Sequence, residues 1–220
     1  MNDTRIAELL EPFLSDNSRR TAALSSSQAR LISMYVDLLL RWNDRVNLTA
    51  IWKPEEIVTR HFGESIFAAR HLFPPPEVEA GTTANVIDVG SGAGFPGLPA
   101  KIWAPHIRLT LIESNQKKAT FLREVVRHLS LANVDVFAAR AKTYPGVPVD
   151  VVMFRAVEQF ESILIDAAGL VRPGGCLAVM IGKTQLDIAP RLLPGLQWRD
   201  PIGLPHSSHR FLIIGRNEPG

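Results

Sequence analysis

Cysteine is almost missing from this sequence: Cys176 is the single thiol in 220 residues. One thiol forms no internal disulfide, and without a Cys-x-x-Cys pair a zinc site would have to be assembled from scattered histidines. A reduced, cytoplasmic protein without structural metal is expected. Long hydrophobic runs are also lacking. No window approaches the roughly 18 uninterrupted apolar residues of a spanning helix, and the opening MNDTRIAELLEPFL sets acids among short apolar stretches, unlike a signal peptide or membrane anchor. There is no strong charge of one sign either, since the net charge is only +2. It is uneven, with 9 Lys/Arg against 11 Asp/Glu in residues 1–84 and 15 against 11 in residues 85–220. That distribution permits a polyanionic partner without demanding one, because ordinary solvated surface looks the same. With 46% hydrophobic and 21% charged residues the composition excludes disorder for most of the chain.

The first third has helical periodicity. Ile6, Leu9, Leu10, Phe13 and Leu14 mark one amphipathic face. Ser25 and Gln28 form a capping box ahead of Leu31, Ile32, Tyr35, Leu38, Leu39 and Trp42, which predicts a helix running to about Arg45. Pro54, Glu55 and Glu56 suit a first helical turn, followed by Ile57, Val58, Phe62, Ile66 and Phe67 facing inward. Pro74, Pro75 and Pro76 end that helix, and the stretch to Ala84 reads as a linker between a helical extension, 1–84, and a second domain, 85–220.

Beyond the linker, strands are predicted at Val86–Val89, Leu109–Ile112, Val134–Phe137, Val149–Phe154 and Leu177–Ile181. Helices are predicted near Gly97–Trp103, Gln116–Leu129 and Ser162–Leu170. This alternation argues for an α/β fold with a mostly parallel sheet covered on both faces. Phe211–Ile214 follows a Pro/Gly-rich stretch and is expected as a last, antiparallel edge strand.

The most informative segment is Asp88-Val89-Gly90-Ser91-Gly92-Ala93-Gly94-Phe95-Pro96-Gly97, between a strand and a helix. Glycines there let the backbone turn sharply and approach a nucleotide-like cofactor. Gly92, Gly94 and Gly97 also spell the dinucleotide pattern, with Glu113 about 20 residues on, so a nicotinamide cofactor stays open. Three features favour S-adenosylmethionine: Asp88 at the strand tip, able to engage the cationic methionine end; Pro96 in the turn; and the lack of a second substrate domain. Glu113 suits the ribose hydroxyls of either cofactor.

The run DVGSGAGFPGLPAKIWAP, then LIESNQKKATFLREV, then Phe154-Arg155-Ala156-Val157, resembles the glucose-inhibited division protein B family, bacterial methyltransferases that modify N7 of a guanine in small-subunit ribosomal RNA. Trp42-Asn43 with Asn47-Leu48-Thr49, and Arg60-His61 with Glu64-Ser65, resemble two further family elements, so the likeness spans Leu38 to Ile181. Lysine stands at Lys142 where the family commonly has an acid, Glu64 where it has aspartate, and Gly182-Lys183 reverses a family Lys-Gly.

The resemblance implies a Rossmann-like class I S-adenosylmethionine methyltransferase with a seven-stranded sheet, acting on 16S ribosomal RNA or the small subunit. It implies cofactor contacts at Gly90, Phe95, Ala141, Lys142 and Arg155, beside Asp88, Gly92 and Glu113 from the loop reading. Asn47, His61 and Arg155 are the expected catalytic residues, although Asn47 is equally an ordinary left-handed helix cap and a lone histidine on an amphipathic helix is often structural. Arg155 ends a buried strand with a charge, which calls for a partner, a ligand or a nearby acid. Lys117, Lys118, Arg123 and Arg127, with Arg19, Arg20 and Arg210, are candidates for phosphate contacts. A monomer is expected. A nicotinamide oxidoreductase and a non-catalytic RNA-binding module are the competing functions.

Overall fold

The computed structural model describes residues 1–15, 23–73, 83–155 and 159–218. The expected proline-rich linker over 74–82, with Arg19, Arg20 and Val157, lies outside the described residues.

Helices α1 (Asp3–Leu14) and α2 (Ser26–Val46) form as their apolar stripes require. The capping box is in place: Ser25 Oγ accepts from the Gln28 amide at 3.2 Å, and Gln28 Oε1 accepts from the Ser25 amide at 2.9 Å. Gln28 Nε2 also donates to the Ile102 and Trp103 carbonyls, so the same side chain starts α2 and docks it on the next helical layer. The third helix is not regular. A short α3 (Pro54–Ile57) widens into a π-helical segment, Val58–Gly63, and returns as α4 (Glu64–Leu72). At Gly63 the chain passes so close to Phe13 that a Cβ would lie 2.6 Å from the ring.

The strands are β1 (Asn85–Val89), β2 (Arg108–Ile112), β3 (Val134–Phe137), β4 (Val149–Arg155), β5 (Val171–Gly182), β6 (Gln197–Trp198), β7 (Ile202–Gly203) and β8 (Arg210–Arg216). Helices α5 (Gly97–Trp103), α6 (Gln116–His128), α7 (Phe160–Ala168) and α8 (Ile188–Leu192) connect or flank them. The sheet order is β3-β2-β1-β4-β5-β8-β6, parallel from β3 to β5 and antiparallel at β8.

The expectation of seven strands is corrected to eight among the described residues. The two-residue strands β6 and β7, both paired with β8, are too short to show a period of two in the sequence. They also cover the outer side of β8, which is antiparallel as expected but not the edge. β5 begins six residues before its predicted start, because Pro173-Gly174-Gly175 reads as a turn and is instead accommodated by an irregular register against β4.

One face of the sheet packs with α5, α6 and all the N-terminal helices in a single apolar core that includes Ile6, Tyr35, Phe62, Leu98 and Phe121. The other face packs against α7 and α8 around Phe154, Leu164 and Val179. Among the described residues no helix is long and apolar enough to cross a membrane.

Candidate active site

β1 pairs with β2 on one side and β4 on the other, so the strand order reverses at β1. Connections leaving neighbouring strands at such a point diverge and open a crevice beyond their carboxyl ends. The glycine loop follows β1, and Arg155 is the last residue of β4. Together with Leu48, His61, Glu113 and Lys118 they line a cleft of about 380 Å³.

The loop's glycines divide into two kinds. Gly90, Gly92 and Gly94 all have positive φ, at 67°, 57° and 91°. A Cβ on Gly92 would meet only the Gly90 carbonyl oxygen, at 3.8 Å, so this position faces open space. A Cβ on Gly94 would overlap the Tyr35 hydroxyl and approach Leu98 Cδ1 to 2.5 Å, and one on Gly97 would reach Asp88 Oδ2 at 2.7 Å. Gly92 leaves room for a ligand, whereas Gly94 and Gly97 leave room for the protein.

Asp88 is fully buried, with Oδ2 accepting from the Gly97 amide at 3.0 Å. Its carboxylate faces the start of α5 rather than the cleft, and Oδ1 has no partner among the described residues. Burial pushes the carboxyl up to about 7, the Gly97 amide acting in the opposite direction. Glu113 does line the cleft, while its two oxygens accept from the Gly92 amide (2.8 Å) and the Asn115 amide (2.7 Å). It therefore braces the glycine loop from below.

Phe95 is held between two rings, stacked on Tyr35 at 5.6 Å and on His61 at 4.7 Å. The Arg155 guanidinium carbon lies 5.5 Å from its centroid, a cation–π contact. Arg155 donates through Nη2 to His61 Nδ1 at 2.9 Å and through Nη1 to the Arg60 carbonyl at 3.2 Å. The acid expected as an alternative partner is not there: no described carboxylate stands within ion-pair distance of Arg155. Most of its N–H groups are left for something in the cleft.

A guanidinium has no lone pair to offer, so His61 Nδ1 must be the acceptor and the proton sits on Nε2, which donates to Thr49 Oγ1 at 2.8 Å. Burial, reinforced by Arg155, Arg60 and Arg210, pushes the imidazole down to about 3 and keeps it neutral. Thr49 is placed by Asn43, whose Oδ1 accepts from the Leu48 and Thr49 amides and whose Nδ2 donates to the Thr49 carbonyl. In the sequence Asn43 and Thr49 are recognised only within a family element, with no role in the site assigned to either. A signal existed, since Asn43 continues the Tyr35–Leu39 spacing onto the buried face of α2, where a polar side chain must have partners. Asn47 closes α2 in the left-handed conformation and is exposed, and its neighbour Leu48 lines the cleft.

Ala141 and Lys142 lie in the short 3-10 turn after β3. With Gly90, Ile112 and Arg140 they line a second compartment of about 380 Å³, and Gly90 borders both. Of the phosphate candidates, Lys117 and Arg123 are exposed on α6 and Lys118 reaches the cleft. Arg127 is tied to Glu124 at 2.8 Å, and Arg210 to the buried Glu64.

A family model described as GidB, rRNA small subunit methyltransferase G, matches residues 28–190. The chain belongs to this family. The Ribosomal RNA small subunit methyltransferase G of Xanthomonas campestris pv. campestris (strain B100) is 38% identical over 218 residues, covering 97% of this chain and 98% of that protein. The protein of the same name from Chloroflexus aggregans is 37% identical over 203 residues, covering 87% and 82%. Among solved structures, a ribosomal protein L11 methylase from Lactobacillus delbrueckii subsp. bulgaricus superimposes with a TM-score of 0.58 over 72% of this chain and 79% of that one, at 12% identity. That likeness is one of fold, and the family membership rests on the near full-length relatives. In this member of the family the match takes in both the cleft-lining segments after the strands and the helices that carry Asn43, Thr49 and His61.

Proposed function

We propose that the protein transfers a methyl group from S-adenosylmethionine to N7 of a guanine in 16S ribosomal RNA. The observation that carries this reading is Arg155, a guanidinium with no carboxylate partner among the described residues, lining a glycine-walled crevice at the point where the strand order reverses. The residues fit the cofactor: Gly92 opens onto free space, Glu113 lies beside it, and Ala141 and Lys142 border the neighbouring compartment across Gly90. Gly90, Gly92, Phe95, Glu113, Ala141, Lys142 and Arg155 hold it, and Asp88 shapes the loop from beneath. When bound, it supplies an electrophilic methyl carbon on a sulfonium.

Guanine N7 carries a free lone pair, so no proton has to be removed before attack. His61 is not poised to remove one, since both its nitrogens are engaged and its imidazole stays neutral far below physiological pH. The chain contributes by positioning the reactants and excluding water, effects that together supply about 7–11 kcal/mol in favourable cases. His61 is thus a positioning residue for Arg155, and Asn43 and Thr49 position His61.

Residues 1–84 act as a helical extension to a methyltransferase domain over 85–220, and the protein works as a cytoplasmic monomer on the RNA or on the small subunit. Lys117, Lys118 and Arg123 contact phosphates. Replacing all three with Gln is expected to flatten the salt dependence of RNA binding by about 0.7–0.9 of a log–log unit per lost contact. The decisive experiment pairs two measurements: S-adenosylhomocysteine, and not NAD, stabilises the protein in a calorimetric titration, and mass mapping of 16S RNA treated with enzyme finds one new N7-methylguanine. A product methylated at another atom overturns the reading.

A further inference from the structure

Next to the glycine-loop cleft lies a third cavity, of about 390 Å³, between the π-helical segment and the ends of β4, β5 and β8. Arg60, His61, Glu64, Arg155, Gln185 and Arg210 supply its polar wall. It shares His61 and Arg155 with the cleft, so those two side chains border both spaces. Its volume is within the range of small-molecule sites.

The unusual group in that wall is Glu64. Its side chain is 3% exposed, and burying a carboxylate is costly without compensation. Compensation comes from Arg60 Nε at 3.6 Å and from Arg210, and both converge on Oε1. No hydrogen bond among the described residues falls on Oε2. Burial raises the Glu64 carboxyl above its ordinary value on balance, with Arg210, Arg155 and Arg60 acting against it. By geometry the cavity presents a carboxyl held in place by two arginines, with one oxygen free of hydrogen bonds among the described residues.

We propose that this cavity receives the acceptor base and that Glu64 selects guanine by accepting from its N1–H and N2–H groups. Guanine presents two adjacent donors on that edge, which match a carboxylate. Adenine and cytosine each place a ring nitrogen lone pair there, which a carboxylate repels, and uracil offers a single donor. N7 lies on the opposite side of the purine from N1 and N2. A base gripped by Glu64 through N1 and N2 thus turns N7 away from that carboxylate, and in the proposed arrangement N7 takes the side where Arg155 borders the cleft. This assignment also gives Arg210 a task other than phosphate binding, because it fixes the carboxylate. The inference rests on the proposed guanine-N7 activity and adds the residue that reads the base.

The test uses 16S RNA transcripts in which the mapped acceptor guanosine is kept, or replaced by inosine or adenosine. Affinity is measured in the presence of S-adenosylhomocysteine. Wild-type protein is expected to prefer guanosine over adenosine by about 10- to 100-fold, the discrimination of a good bidentate contact, with inosine between them. Glu64→Gln replaces one acceptor by a donor, which opposes one of guanine's two N–H groups and can instead meet the N1 lone pair of adenine, so the preference should collapse or invert while affinity for S-adenosylhomocysteine stays unchanged. Glu64→Asp keeps the carboxylate and should retain the preference. Should Glu64→Gln fail to fold, Gln185→Trp fills the same cavity from its rim and is expected to abolish methyl transfer without loss of S-adenosylhomocysteine binding. An undiminished preference in Glu64→Gln, or full transfer by Gln185→Trp, overturns the pocket. If the wild type makes no N7-methylguanine at all, the failure lies with the proposed function instead.

Discussion

Arg155 Nη2 donates to the Nδ1 lone pair of His61 across 2.9 Å, and both residues line the same two cavities. The contact fixes the imidazole tautomer and points the remaining guanidinium donors into the cleft. Removing the histidine should therefore act through the arginine. His61→Ala is expected to weaken S-adenosylhomocysteine binding about tenfold, as loss of one charge-assisted hydrogen bond would, and Arg155→Ala to weaken it more. The double variant should be no worse than Arg155→Ala alone. Calorimetry on the three proteins measures this, and strictly additive losses would show that His61 contacts the ligand independently.

Gly92 and Gly94 are two residues apart and should fail in opposite ways. Gly92→Val meets no protein atom closer than 3.8 Å, so it costs mainly the strain of a branched residue at φ 57°, about 1–3 kcal/mol, and blocks cofactor binding. Gly94→Ala drives a methyl into Tyr35 and Leu98 and should destabilise the fold by about 1–3 kcal/mol from overpacking, plus the strain at φ 91°. Urea unfolding and cofactor titration of both variants separate the cases. Wild-type affinity in a folded Gly92→Val protein would move the binding site off this loop.

Asp88 makes stability depend on pH. Its native pKa is raised from 3.8 to about 7 by burial, so the folded state holds a proton that the unfolded chain releases over that interval. The contribution is fully present below the unfolded value and is lost as pH rises through the folded one. Compared with Asp88→Asn, which does not titrate, the wild type should lose stability between about pH 4 and pH 7 and then level off. The slope of that difference is at most about 1.4 kcal/mol per pH unit. Unfolding both proteins in urea at pH 4.5, 6 and 8 isolates the effect, because other titrating groups such as His61 cancel. A difference constant with pH would mean that Asp88 is ionised throughout.

Local rules explain what could be read from the sequence. The Ser25–Gln28 cap, the Gln116–His128 helix and the strands on either side of the glycine loop each declare themselves within a dozen residues. The π-helical segment at Val58–Gly63 has no such signature, since it depends on Phe13 arriving against Gly63 from a distant helix. Glu64 stands beside Arg60 in the sequence as an i,i+4 pair, but its burial follows only when Arg210 is brought to it from the last strand. The glycines read alike as well, and only the placement of Tyr35 above Gly94 distinguishes the one that packs from the one that faces the cleft. Asn47 drew attention through its motif, whereas the buried hydrogen bonds belong to Asn43.

The acceptor's lone pair and the state of His61 together fix the pH dependence of catalysis. With the imidazole pushed down to about 3, no cleft histidine changes charge between pH 6 and pH 9, and the titration of Asp88 occurs beneath the loop, where it bears on folding. The single-turnover methyl-transfer rate at saturating RNA and cofactor should then stay level over that range, because an ascending limb arises when a general base must ionise. His61→Gln slows transfer by releasing Arg155, yet the profile keeps its shape. A ribose hydroxyl acceptor predicts the reverse, since its proton must leave in or before attack. A rapid-quench pH–rate profile, with the methylated nucleoside identified after digestion, decides between them. A rate that climbs tenfold per pH unit and loses that climb in His61→Gln would make His61 a base and remove N7 as the acceptor.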